Sequence, residues 1–247
     1  MRLRNPARRA PAAALALLLT GCATNPVTGG REFTFMTEGQ EVSIGRDADG
    51  QIREQMGVYD SPALQAYVAD LGHRLAALSH RPNLPWQFTI VDSPAVNAFA
   101  LPGGYIFVAP ALVDLAGGGR DELAFIVAHE MAHVIRRHAI DRILSQRALK
   151  AITLASPAAR SIAPWVRTVG VQWLERAYSQ DQEYEADELG GRLMRAAAFD
   201  PAGAVRMLER LGALEPRGGT SGLGNWLSTH PPTADRILRL REQLDLR

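Results

Sequence analysis

Only one cysteine, Cys22, occurs in the chain, so no disulfide can close within it, even in an oxidising compartment. Excess charge is also missing: 27 Lys and Arg against 26 Asp and Glu leave a formal +1, which lends a nucleic-acid role no support. Beyond the first 22 residues no run is long and apolar enough to span a bilayer, which takes about 20 such residues. There is no repeat period, no collagen-like pattern and no disorder-like composition. What remains is 247 residues with 47% hydrophobic composition, enough for one compact domain or two at most.

The first 22 residues, MRLRNPARRAPAAALALLLTGC, place four arginines before an apolar stretch and small residues ending at Cys22. That is the layout of an export signal. Leu19-Thr20-Gly21-Cys22 resembles the lipobox of bacterial lipoproteins, in which the cysteine becomes the lipidated first residue. A lone cysteine at this position fits acylation. Several acyl chains would anchor the protein firmly, whereas one gives only marginal binding. The expected division is a signal peptide over 1–21, a lipidated N-terminus and Gly/Pro/Thr-rich spacer over 22–36, and one domain over 37–247. Losing 1–21 takes the charge from +1 to −3. If the bacterium is Gram-negative, Ala23 is not the aspartate linked to inner-membrane retention, so the outer membrane, facing the periplasm, is expected.

Helices are expected over about 38–57 and 61–79, the second opened by Ser61-Pro62. WQFTIVD (86–92) reads as a strand, and 97–112 as two extended runs broken at Pro102-Gly103-Gly104. Asp121 is expected to cap the next helix. Further helices are expected in 139–178, interrupted near Pro157 and Pro164. A long helix follows at about 180–198, another to about 213 after Phe199-Asp200-Pro201, and a final one after a glycine-rich loop (218–224). The fold class expected is α+β, mostly helical, with a small sheet in the first half.

Within the helix after Asp121, FIVAHEMAHVIRRHA (125–139) sets two histidines and a glutamate into an apolar run. Burying them without partners would cost several kcal/mol each, about 2–7 for a neutral polar group. Residues four apart share a helix face, so His129 and His133 project side by side while Glu130 sits about 100° round. His-Glu-x-x-His is the arrangement in which two imidazoles bind zinc and the glutamate acts on its water. Catalytic zinc needs a third protein ligand and an open position. The 180–198 helix offers Glu183, Glu185, Asp187 and Glu188. Glu183 and Asp187 share a face, Glu185 points elsewhere, and one carboxylate can bind the metal while another orients a histidine. Spacing does not choose between them.

Here the chain resembles the metallopeptidase family of HtpX and the CAAX prenyl protease, peptidase family forty-eight of the metallo class. The resemblance rests on His129-Glu130-x-x-His133, Arg137-His138 and Ser179-x-x-x-Glu183-x-Glu185-Ala186-Asp187-x-x-Gly190. It extends to Asn-Pro-Val-Thr-Gly (25–29), Asn97-Ala98-Phe99-Ala100-x-Pro102-Gly103-Gly104, Phe199-Asp200-Pro201 and Thr229-His230-Pro231. It implies a gluzincin-type metalloprotease domain with one Zn2+, Glu183 as third ligand and Asp187 orienting a ligand histidine. HtpX and the prenyl protease span the membrane several times and this chain does not, so it is closer to the exported lipoprotein branch. That branch implies envelope protein quality control, with unfolded or misassembled envelope proteins as substrates. In these 247 residues no C-terminal helical-repeat domain of the kind some exported relatives have is expected, nor the docking surface it would give.

The implied chemistry is zinc-dependent peptide hydrolysis, with Glu130 as general base on a water whose pKa zinc lowers to about 7. An edge strand through Asn97, Phe99 and Ala100 would bind extended peptide by backbone hydrogen bonds, or be an ordinary core strand. His230, in a non-helical Ser-Thr-His-Pro-Pro stretch, would stabilise the oxyanion, fill the open metal position at rest, or serve only as a cap or surface residue. His138 lies off the ligand face and reads as packing or hydrogen-bonding; His73 and His80 read as structural or solvated. The rival reading is a chaperone or scaffold for outer-membrane protein assembly with little turnover.

Overall fold

The computed structural model describes residues 22–24, 31–33, 36–143, 177–214, 229–230 and 234–246. Strands β1 (Cys22–Thr24) and β2 (Arg31–Phe33) pair antiparallel, so the expected spacer holds a short ladder. Helix α1 (Glu38–Met56) begins at a reciprocal cap: the Gln40 amide donates to the Thr37 hydroxyl and the Thr37 amide to the Gln40 side chain. Helix α2 (Pro62–Ala76) starts as expected, with Ser61 accepting from the Leu64 amide and proline in the first turn.

Three strands follow, β3 (Gln87–Ile90), β4 (Ala98–Leu101) and β5 (Tyr105–Val108). Their order is β3-β5-β4, with β3 parallel and β4 antiparallel to β5. The β4–β5 turn runs through Pro102-Gly103-Gly104. Gly103 has φ +81° and its amide donates to Glu41; a Cβ there would meet the Val42 backbone at 2.6 Å.

Central β5 is buried on both faces, hence its unbroken apolar run. On one face Phe99, Leu101, Tyr105 and Phe107 pack with Ala48 and Ile52 of α1. On the other, Phe88, Ala100, Ile106 and Val108 join the main core with α2 and α4. The sheet is thus covered by helices on both sides.

Helix α3 (Pro110–Leu115) leads to α4 (Arg120–Ile135), in which every residue from Glu122 to Ile135 is buried. An all-round apolar helix belongs at the centre of a fold, and α4 is that centre. Its N-cap is Gly119, not Asp121. Asp121 falls in the first turn, where its negative charge suits the helix dipole and its carboxylate accepts from the Asp200 amide.

After α5 (138–143) come α6 (Gln180–Ala196), α7 (Ala202–Gly212) and α8 (Ala234–Gln243). The interruptions expected at Pro157 and Pro164, and the 218–224 loop, lie outside the described residues. Helix α6 packs along α4 so closely that a Cβ on Gly190 would meet the His129 backbone nitrogen at 3.1 Å. The fold is mostly helical with a small three-stranded sheet, as its sequence implied. No helix among the described residues is long and apolar enough to cross a membrane.

Candidate metal centre

Helix α4 presents His129 and His133 one turn apart, and their Nε2 atoms lie 3.1 Å from each other. Ser179 caps α6 reciprocally with Gln182, a Ser-x-x-Gln signature readable in the sequence, and so fixes the start of the helix that carries Glu183. Glu183 Oε1 stands 3.5 Å from His133 Nε2, and Oε2 3.6 Å from His129 Nε2. A tetrahedral ion with bonds of about 2.0–2.1 Å has edges of about 3.3–3.4 Å, the separation these atoms show. His129, His133, Glu183 and His230 offer ligand atoms all within 4.8 Å of one another.

His230 reaches this group from the segment before α8. Thr229 is still helical and His230 lies in the bend after it, because a residue preceding proline is pushed out of the α region. His230 Nδ1 is 2.8 Å from Glu183 Oε1 and 3.4 Å from His129 Nε2, while its Nε2 faces Glu130 Oε1 at 3.4 Å. Tyr178 stacks on the His133 ring at 3.8 Å and forms one wall. Its phenol is pushed up by burial.

Asp187, one turn beyond Glu183, holds His129 Nδ1 at 3.0 Å. An ionised carboxylate only accepts, so His129 carries its hydrogen on Nδ1 and turns a lone pair on Nε2 toward Glu183. Arg236 of α8 secures both acids, with Nε and Nη2 each 2.7 Å from Asp187 and Nη1 2.8 Å from Glu183 Oε2. It is the largest fully buried side chain among the described residues, and no local pattern in the sequence singles it out. Glu185 does leave the Glu183–Asp187 face, yet it is engaged: its Oε2 accepts from Arg136 and His138.

Burial alone would raise the Glu183 carboxyl, but other groups, led by the His230 ring that donates to it, override this and hold it well below its usual range. Burial would likewise raise Asp187, and Arg236 with His129 brings it down. His133 is driven well below its ordinary value by burial. For His230 burial pulls downward, and Glu183 and Glu130 reverse the direction. The hydrogen bond from His138, with Arg136, lowers Glu185 to about 2.

Three carboxylates (Glu130, Glu183 and Asp187) thus converge against the guanidinium of Arg236, all of them buried. Even with His230 counted as a cation beside Arg236 that balance is negative, and a buried net charge is costly. A divalent cation between His129 Nε2, His133 Nε2 and Glu183 removes the excess and matches the donor set. The residues present fit a metal.

Every metal, base and orienting residue expected from the sequence is in this cluster. Of the substrate-strand candidates, Phe99 and Ala100 lie on β4, at the edge of the three-stranded sheet, and Asn97 directly precedes it; none is among the ligand-bearing residues. Phe99 and Ala100 are buried on opposite faces, and the Asn97 carbonyl accepts from the Ala109 amide. Only backbone could engage a peptide there.

Residues 62–244 match the sequence profile of peptidase family M48. The chain is 30% identical over 223 residues to the mitochondrial metalloendopeptidase OMA1 of Schizosaccharomyces pombe, covering 89% of this chain and 65% of that protein. It is 27% identical over 231 residues to the beta-barrel assembly-enhancing protease of Escherichia coli (strain K12), covering 89% and 47%. The putative beta-barrel assembly-enhancing protease of Vibrio cholerae is 31% identical over 220 residues, covering 84% and 45%. The chain spans about half to two thirds of the length of these relatives.

Proposed function

Because the chain belongs to peptidase family M48, we propose that it is a zinc-dependent endopeptidase of the bacterial cell envelope, acting in protein quality control. The observation that carries the reading is the convergence of His129 Nε2, His133 Nε2 and the Glu183 carboxylate beside Glu130. A zinc ion held by these three side chains supplies a Lewis acid that polarises a carbonyl and lowers a water's pKa toward neutrality.

Glu130, fully buried next to the ligand pair, accepts the proton of the attacking water and returns it to the leaving amine. Asp187 and Arg236 keep His129 and Glu183 oriented. The His230 ring, donating from Nδ1 to Glu183 and facing Glu130 through Nε2, stands between the ligand carboxylate and the base and so covers the position a substrate needs. This favours the resting-state role over the oxyanion role. The free edge of β4 through Phe99 and Ala100, entered from Asn97 whose carbonyl already serves Ala109, pairs with extended peptide through its remaining backbone groups, which suits unfolded substrates of varied sequence.

The division proposed is a signal over 1–21, a lipidated segment over 22–36 anchored at Cys22 to the outer membrane, and a peptidase domain over 37–247. The relatives' names, metalloendopeptidase and beta-barrel assembly-enhancing protease, support protein substrates. The test compares chelator-sensitive casein digestion by the zinc-loaded parent and Glu130→Gln. The variant should keep zinc and lose about 10²–10⁴-fold in rate. Normal hydrolysis by a zinc-loaded Glu130→Gln protein would refute the assignment.

A further inference from the structure

His133 has a second partner through its other ring nitrogen. Its Nδ1 lies 2.8 Å from Nδ1 of His138, the rings meeting edge to face at 5.0 Å. Continued as a straight helix, α4 would carry His138 about 140° away from His133. Instead the chain turns at Arg137, which has φ +57°, a conformation costing a non-glycine residue about 1–2 kcal/mol. Arg137 is held there by Glu41 at 3.2 Å, itself buried and fixed by Arg81. The turn folds His138 back onto the ligand histidine.

His138 Nε2 is 3.1 Å from Glu185 Oε2, an oxygen that Arg136 also holds through Nε and Nη2 at 3.0 Å each. A carboxylate accepts, so His138 bears its hydrogen on Nε2. The neutral ring then has a lone pair at Nδ1, and only His133 can supply the hydrogen between the two Nδ1 atoms. His133 is left with its lone pair on Nε2, the atom facing His129 and Glu183. The other tautomer would point a hydrogen into the metal position.

We propose that His138 and Glu185 are positioning residues of the metal centre, fixing His133 as the tautomer able to bind a cation. Asp187 does directly for His129 what Glu185 does through His138 for His133. Helix α6 thereby supplies one ligand and both acids that orient the two ligand histidines. The inference rests on the metal-centre reading and extends it to residues outside the ligand set.

The test is zinc affinity of the full chain, measured by competition with a chromophoric chelator, beside the melting temperature of the metal-free protein. His138→Phe keeps an aromatic ring and removes both nitrogens; it should weaken zinc about 10–100-fold. His138→Asn keeps an acceptor where Nδ1 lies and should recover most of that loss. Glu185→Gln should weaken zinc about ten-fold in the parent background and have no effect beside His138→Asn, because the link is already cut. Glu185 is half exposed, so its variant tests the idea even if His138→Phe fails to fold. Unchanged zinc affinity in Glu185→Gln, or an equal loss in both backgrounds, overturns the proposal. So does a loss of metal-free stability in His138→Phe with parental zinc affinity. A parent that binds no zinc fails the metal-centre reading itself; a parent that binds one ion as tightly as every variant fails this inference alone.

Discussion

Gly190→Ala places a methyl group against backbone that has no side chain to move aside. Its Cβ would stand 3.1 Å from the His129 nitrogen and 3.3 Å from both Ala128 C and His129 Cα. Ordinary contact requires α6 and α4 to part by roughly 0.3–0.5 Å, an overpacking of the kind that costs about 1–3 kcal/mol. Alanine gains about 0.8–1.0 kcal/mol over glycine in helix propensity. The net loss is about 1 kcal/mol, or about 2–4 °C in melting temperature for a chain of this size. The metal centre should suffer more than the fold. Glu183 and Asp187 ride on the displaced helix, and a shift of that size exceeds the roughly 0.2 Å a metal–ligand bond tolerates. Zinc affinity should therefore fall about ten-fold or more, a loss within the range that misoriented ligands show. Thermal melting of the metal-free protein and chelator competition measure the two effects separately. A Gly190→Ala protein more stable than the parent, with zinc affinity unchanged, would show that the helices are not in the contact described.

Glu41→Ala leaves the Arg81 guanidinium buried with Glu38 and the Val134 carbonyl but without the two bonds it makes to Glu41. Breaking a buried pair should cost about 3–5 kcal/mol in guanidinium denaturation, and a loss below about 1 kcal/mol would contradict the burial assigned to it. His230→Ala removes the ring standing between Glu183 and Glu130, so peptide cleavage by the zinc-loaded protein should rise. A fall in rate would restore the oxyanion role, and unchanged rate and metal content would refute both.

The pair His129 and His133 was legible because a four-residue spacing is a property of one helix, and its apolar setting made burial foreseeable. Glu183 was narrowed to a helix by composition but chosen only by resemblance, since the choice depends on which face of α6 meets α4. That face is set by Gly190 and the surrounding apolar residues, which bring together two segments far apart in the sequence. Asp121 illustrates the opposite error. Aspartate is a good cap by propensity, but here its carboxylate ties α7 to α4 while Gly119 starts the helix. Arg236 gave no signal because its partners come from another helix entirely. His138 reads as a packing or hydrogen-bonding residue and does hydrogen-bond, to His133 and Glu185; straight-helix geometry does not show that the left-handed turn at Arg137 brings it onto a ligand histidine.

Diffraction at the zinc absorption edge from crystals of the zinc-loaded chain tests the central claim most directly. One anomalous peak should lie between His129 Nε2, His133 Nε2 and the Glu183 carboxylate, about 2.0–2.2 Å from each. A loaded protein with its peak elsewhere, and these three side chains bonded only to one another, would contradict it.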